Sequence, residues 1–128
     1  MSFIVENIKW IMLVSGALTV TMIYAAFAPR AALNATFGEA KAEGAALEIV
    51  TRNWGALIAL IGAMLIYGAY HPPGRAFILI IAGVSKLTFI GLILANGSAA
   101  ARRKAAGAIV IDTVMIVLFA LYLVGAAG

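Results

Sequence analysis

The stretch "AFILIIAGVSKLTFIGLILA", residues 76–95, decides the fold of this chain. Its twenty residues are mostly apolar, and Lys86 near the middle carries the only charge. A helix of about 20 apolar residues is what a chain needs to cross a hydrocarbon core about 30 Å thick. The stretch therefore predicts a membrane-spanning helix with a lysine deep inside it.

The composition of the whole chain favours the same solvent. Of its 128 residues, 65% are hydrophobic and 11% are charged, and the mean hydropathy is +1.10. Soluble domains carry about 25% charged residues, so this chain has too little polar surface to cover itself in water. The chain has no cysteine, one histidine and five acidic residues, which argues against disulfides, thiolate chemistry and a dedicated metal site. We expect the lipid bilayer as a partner, with no cofactor, no metal and no nucleic acid.

Three further apolar stretches resemble the first. The four predicted spans are residues 8–28, 53–70, 76–95 and 105–125. Turn residues separate them at 29–30, 71–74 and 96–98. Backbone groups in lipid must be bonded internally, and the alternation of a β-barrel is absent, so the spans are predicted to be helices. The sequence predicts a single all-α domain over residues 1–128, an up-down antiparallel bundle with both termini on the same side.

The ends of the first span leave two questions. Residues 26–28 resemble a small-residue cleavage site, but Pro29 would directly follow the cut, so we expect a retained spanning helix. The connection 30–52 mixes charged and apolar residues and runs into the second span without a helix breaker. Two interpretations of it stay open, an interfacial helix and a partly ordered loop.

Basic residues indicate the orientation, because Lys and Arg favour cytoplasmic loops. One predicted side carries six of them and the other carries two: the six are Arg30, Lys41, Arg52, Arg102, Arg103 and Lys104, and the two are Lys9 and Arg75. The count predicts a multi-pass protein of the cell inner membrane with both long polar connections in the cytoplasm. Both termini and the turn at His71 are then expected on the periplasmic side.

Small residues on the second span predict close helix packing. Gly55, Ala59 and Ala63 follow one another at intervals of four, and Gly62 lies alongside. Such a face lets two helix backbones approach, either within one chain or between chains. Four helices enclose little space, so we expect a homo-oligomer or a partner membrane subunit. Trp54, at the start of this predicted span, is typical of an interface anchor.

A layer of polar residues crosses the predicted bundle. With a rise of about 1.5 Å per residue, Lys86 lies about 16 Å and Asp112 about 12 Å from the cytoplasmic ends of their spans. Thr19, Thr21 and Thr88 belong to the same layer. A short connection makes the third and fourth spans neighbours, so the lysine stem reaches the height of the carboxylate.

The sequence leaves open three interpretations of the charged residues Lys86 and Asp112. A charge at the bilayer centre costs about 2.5–3.5 kcal/mol on insertion scales, which favours pairing. The pair could fix helix register, or it could be a working site, because ionisable groups inside membranes mark function. The third reading is that the two residues do not touch.

A second polar group is predicted at the cytoplasmic mouth of the second span. It consists of Glu48, Arg52 and Asn53. Glu48 and Arg52 are four residues apart with the acid first, the favourable order for a helical ion pair. The group is either an ordinary surface pair or a gate to the deeper charges.

The run "RNWGALIALIGAMLIYGAY", residues 52–70, is followed by a short turn and two further spans. In this the chain resembles the small DoxX-like four-helix membrane proteins. The likeness covers the topology over most of the chain and an Arg-x-x-Gly pattern at Arg52 and Gly55. The resemblance implies an inner-membrane protein, and some members of that group are associated with membrane redox systems. It implies no catalytic residue.

Three functional classes remain. We favour a protein of unassigned activity that self-associates or serves as an accessory subunit of a membrane complex. The alternative is a small oligomeric transporter or channel that uses the Lys86–Asp112 pair to handle anions or protons. An enzyme acting on a lipid-soluble substrate is the least favoured, because the sequence has no metal-ligand cluster, HExxH motif or Gly-rich phosphate loop.

Overall fold

The computed structural model describes residues 2–37 and 44–127, and within these ranges the chain is almost entirely helical. A 3-10 turn at Thr21–Ile23 interrupts the first long helix, and a second at Pro72–Gly74 precedes the third. The α-helices are α1 Ser2–Glu6, α2 Ile8–Val20, α3 Tyr24–Phe27, α4 Pro29–Phe37, α5 Ala45–Ala69, α6 Arg75–Asn96 and α7 Ala99–Ala127. We call Ile8–Phe27, which joins α2 to α3 through the 3-10 turn, the first span.

Among the described residues, four helices are long and apolar enough to cross a membrane, which confirms the prediction of four spanning helices. The second and fourth, α5 and α7, begin earlier than the predicted residues 53 and 105. For α7 the cause is local. The Ser98 hydroxyl accepts a 3.1 Å hydrogen bond from the Ala101 N–H, which is an N-cap that starts the helix. The Ala, Arg and Lys residues that follow are strong helix formers, so the basic cluster continues the helix.

The described parts of the connection 30–52 are helical. Its first part belongs to α4, which has proline in its first turn, where proline is tolerated. Residues 45–52 form the first two turns of α5. Residues 38–43, which include Lys41, lie outside the described residues. Because α4 packs against α5 and α7, this part of the connection is a helix docked on the bundle.

The long helices form a ring. The first span packs against α5, α5 against α6, and α6 against α7. α7 closes the ring by contacting α1, α2 and α4. The ring therefore has an interior that all four spanning helices border.

The first span and α5 make the closest helix contact. A Cβ atom added to Gly62 would lie 2.5 Å from the Val20 backbone nitrogen and 2.8 Å from the Gly16 carbonyl oxygen. A Cβ added to Gly55 would lie 2.6 Å from the Ala25 Cβ. These distances are too short for any side chain, so the two backbones touch at the glycines.

The predicted small-residue face is used inside the chain, with one change of residue. Gly55, Ala59 and Gly62 are buried in the contact with the first span, whereas Ala63 is exposed. Adjacent helical positions point about 100° apart, so a face through Gly62 turns Ala63 away from it. The seam consists of Gly55, Ala59 and Gly62.

Three arginines share one structural role. Each donates hydrogen bonds to backbone carbonyls near the C-terminal end of the preceding spanning helix. The bonds are Arg52 Nη1 to Ala26 O at 2.5 Å, Arg75 Nε to Gly68 O at 3.1 Å and Nη2 to Ala69 O at 2.9 Å, and Arg102 Nη1 to Leu94 O at 3.2 Å. The last four carbonyls of a helix lack partners within it, and basic side chains near that end satisfy them. These arginines therefore terminate helices in addition to contributing to the charge count.

The main cluster of buried apolar side chains lies in the half of the bundle nearest the His71 turn. Its side chains come from all four spanning helices and interdigitate across the ring. They are Ile8, Met12, Leu65, Ala69, Ile78, Leu79, Ala82, Met115 and Phe119. In this half, the packed side chains fill the space between the four helices.

Candidate functional site

Lys86 and Asp112 meet at the edge of this packed half. The Lys86 Nζ donates a 3.0 Å hydrogen bond to Asp112 Oδ1, and the two side chains keep 9% and 20% of their surface exposed. The same Nζ lies 3.4 Å from the Thr19 hydroxyl. Because Thr19 donates its own proton to the Ser15 carbonyl at 2.6 Å, its oxygen acts as an acceptor for the lysine. One buried ammonium group thus joins the first span, α6 and α7.

The geometry accounts for a lysine at this depth. An isolated charge in the bilayer is costly, whereas a charge that is paired and hydrogen-bonded is tolerated. The ion pair cancels the net charge, and the threonine oxygen occupies a second ammonium hydrogen. A lysine has three such hydrogens, so the described contacts leave capacity for one more acceptor.

A cavity of about 300 Å³ lies next to the pair. Its wall takes residues from α4 and from all four spanning helices. They include Leu18, Thr19, Thr21, Met22, Thr36, Trp54, Ile58, Ile61, Ser85, Lys86, Phe89, Ala108, Ile111, Asp112 and Met115. The wall is mostly apolar, with the charged pair and several hydroxyl groups as its polar part. A cavity of this size is at the lower end of the range of about 300–1,000 Å³ that is usual for small-molecule sites.

The cavity gives the bundle two different halves. On the side of the His71 turn, the core residues fill the ring. On the other side, the cavity extends from Thr36 of α4 and Trp54 of α5 to the Lys86–Asp112 pair. The pair therefore lies at the inner end of this cavity.

The threonines of the predicted polar layer separate in the structure. Thr19 is buried and contacts Lys86, as described above. Thr21 lines the cavity, and its hydroxyl donates to the Leu18 carbonyl. Thr88 is exposed, and its hydroxyl donates to the Val84 carbonyl at 2.8 Å on the outer face of α6. Thr88 therefore does not belong to the site, because two residues along a helix rotate it away from Lys86.

The predicted group at the mouth of α5 is not brought together. Glu48 pairs with Arg30 of α4 at 3.5 Å, with the two side chains 40% and 61% exposed. Arg52 instead donates a hydrogen bond to the Ala26 carbonyl, and Asn53 is exposed. The ion pair connects α4 to α5 at the surface, where such pairs contribute about 0–1 kcal/mol.

Several wall residues were missed by the sequence analysis. Trp54, which was predicted to be an interface anchor, lies nine residues into α5 and lines the cavity. Phe89 and Met115 could have been found, because each lies three residues from Lys86 or Asp112 along one helix face. Thr36 could not, because its place in the wall depends on how α4 docks.

In the described residues, four helices are long and apolar enough to cross a membrane, which indicates a multi-pass helical membrane protein. Within residues 2–37 and 44–127, no three His, Asp or Glu side chains are placed to hold a metal ion together. Comparisons with protein families, with curated proteins and with solved structures find no match for this chain.

Proposed function

We propose that the chain is an up-down bundle in the cell inner membrane with both termini on the periplasmic side. Contacts along the first span support opposite directions for it and α5, because early residues of one meet late residues of the other. A Cβ on Gly68 would meet Met12, one on Gly62 would meet Gly16, and one on Gly55 would meet Ala25. The short link between α6 and α7 supports opposite directions for that pair. The excess of basic residues at the α4 end supports a cytoplasmic position for that end.

Labelling of single cysteines tests this orientation, and the chain's lack of native cysteine keeps the background clean. In intact cells, an impermeant maleimide is expected to label His71→Cys and to leave Arg103→Cys unlabelled until the membrane is opened. Both positions are exposed in the structure, so access to the thiol is decided by the side of the membrane. Labelling of Arg103→Cys alone would show that the orientation is the opposite of the proposed one. Labelling of both would indicate dual insertion.

We propose further that the protein binds a small molecule at the Lys86–Asp112 pair and works as a small transporter or carrier subunit. One observation carries this proposal: the pair borders a cavity of about 300 Å³. A pair that only fixed helix register would serve equally well in a dry seam. Functional sites in membrane bundles combine an ionisable group with an interior cavity.

A second candidate, an accessory or self-associating subunit, rests on α7. Only 11% of its most apolar segment is buried within the chain, compared with 28% for each of the other spans. A second copy or a partner subunit could cover this face. The Gly55, Ala59 and Gly62 seam no longer supports self-association, because the first span occupies it. We place this candidate second because lipid can cover an apolar face equally well.

The cavity is tested by comparing two adjacent residues of α6. Ser85 lines the cavity, whereas Val84 is 57% exposed on the outer face. In membranes, Ser85→Cys is expected to react with hydroxyethyl methanethiosulfonate, a small neutral thiol reagent. Val84→Cys is expected to be nearly inert, because the reactive thiolate is disfavoured in hydrocarbon. If Ser85→Cys is as unreactive as Val84→Cys, the cavity is closed to water and the binding proposal fails.

A further inference from the structure

A second hollow lies on the outside of the bundle, along the seam between the first span and α7. It is a groove of about 620 Å³ with an almost wholly apolar wall. Trp10 and Val14 line it on one side and Val110 and Val114 on the other. These four side chains are more than half exposed. The groove belongs to two membrane-spanning helices, so its open side is turned towards lipid chains.

The groove and the cavity share part of their walls. Leu18, Ile111 and Met115 line both of them. Leu18 and Ile111 are about half exposed, and Met115 is buried. Unbranched and γ-branched side chains such as Met and Leu change rotamer readily. Leu18, Ile111 and Met115 therefore lie between the lipid-facing groove and the cavity that holds Lys86 and Asp112.

The Lys86–Asp112 pair disfavours a ligand with a charged head group. Lys86 and Asp112 lie 3.0 Å apart and cancel each other. An anion at the ammonium group would also face the carboxylate, and a cation at the carboxylate would face the ammonium group. A hydroxyl or amide group can accept from the lysine and donate to the aspartate at once. A head group that suits both side chains is therefore a neutral group that both donates and accepts hydrogen bonds.

We propose that the ligand of this site is a neutral single-chain lipid, such as a monoacylglycerol. Its head group binds Lys86 and Asp112, its chain lies in the groove, and it arrives from the bilayer between the first span and α7. This inference rests on the proposed binding function and names the substrate class. A water-soluble solute that arrives from the α4 side is the competing occupant.

Native mass spectrometry of the wild-type protein in detergent tests the ligand class. The protein is offered 1-monooleoylglycerol, oleate or oleylamine at equal concentration, at neutral pH. Since a like-charge contact opposes each ionised head group, we expect monooleoylglycerol to be retained at least about tenfold more than either. Equal retention of oleate or oleylamine would overturn the proposal, as would the absence of any retained lipid. A reactive Ser85→Cys together with no retained lipid would leave the cavity intact and reject the lipid alone.

Two variants sharpen the test. Asp112→Asn removes the carboxylate charge and keeps the shape, so retention is expected to shift towards oleate. Leu18→Trp fills the wall between groove and cavity and is expected to reduce monooleoylglycerol retention several-fold. The matched controls are Thr88→Val, on the outer face of α6, and Val117→Trp, at an exposed position on α7. Both controls are expected to retain the wild-type preference. Equal losses in Leu18→Trp and Val117→Trp would contradict the lateral path.

Discussion

Replacement of Lys86 by methionine, or of Asp112 by leucine, is expected to lower the free energy of unfolding by about 3 kcal/mol. Removing one partner of a buried pair leaves the other charge uncompensated and costs about 3–5 kcal/mol. The lower end applies because Asp112 keeps 20% of its side chain exposed in the cavity. Thermal or denaturant unfolding in one detergent measures the loss.

The double variant Lys86→Met/Asp112→Leu is expected to recover much of that loss, because it leaves no stranded charge. Lipid retention is expected to stay low in the same protein. Glu48→Gln is the control, since the Arg30–Glu48 pair is exposed and its loss is expected to cost at most about 1 kcal/mol. Additive effects of the two single changes would contradict the coupling. Recovery of stability together with wild-type lipid retention would leave the pair purely structural.

The second large effect is expected from Gly62→Ala. The added Cβ would lie 2.5 Å from the Val20 backbone nitrogen and 2.8 Å from the Gly16 carbonyl oxygen. Neither backbone atom can rotate away, so the first span must move off α5. Overpacking of this kind costs about 1–3 kcal/mol, and the variant is expected to unfold at a lower temperature in detergent.

Gly91→Ala is the matched control for Gly62→Ala, because a Cβ at Gly91 meets nothing within 4 Å. Its stability is expected to be unchanged or slightly raised, since alanine favours the helix more than glycine does. The seam lies within one chain, so Gly62→Ala should alter stability and leave the number of subunits unchanged. Equal stability of the two variants would mean that the first span and α5 do not touch at this point.

Several features of the site could be derived from the sequence. Hydropathy and length identify spanning helices because lipid leaves the backbone no other partner. Depth along a helix follows from the rise per residue, so Lys86 and Asp112 could be placed at similar heights. In the structure their charged atoms lie 3.0 Å apart. Thr19 could be placed in the same layer for the same reason, and it contacts Lys86.

The helix boundaries and surface partners depended on information that the hydropathy pattern lacks. The basic cluster at 102–104 directly precedes the predicted fourth span, which was expected to begin at residue 105. In the structure, α7 begins at Ala99 and includes the cluster. Glu48 was expected to pair with Arg52 along one helix, but α4 offers it Arg30 instead. A local pairing rule cannot foresee a partner that a second helix brings to the same point.

The sequence by itself determined the solvent, the four spanning helices and the heights of their charges, because these follow from hydropathy and helix geometry alone. Only the tertiary structure decided which faces meet. The rotation of α5 buries Gly62 and exposes Ala63, and it turns Trp54 into the cavity. The cavity itself arises because the side chains of the four helices leave space unfilled beside Lys86 and Asp112. Such filling depends on the packing of four helices at once, and no single helix carries that information.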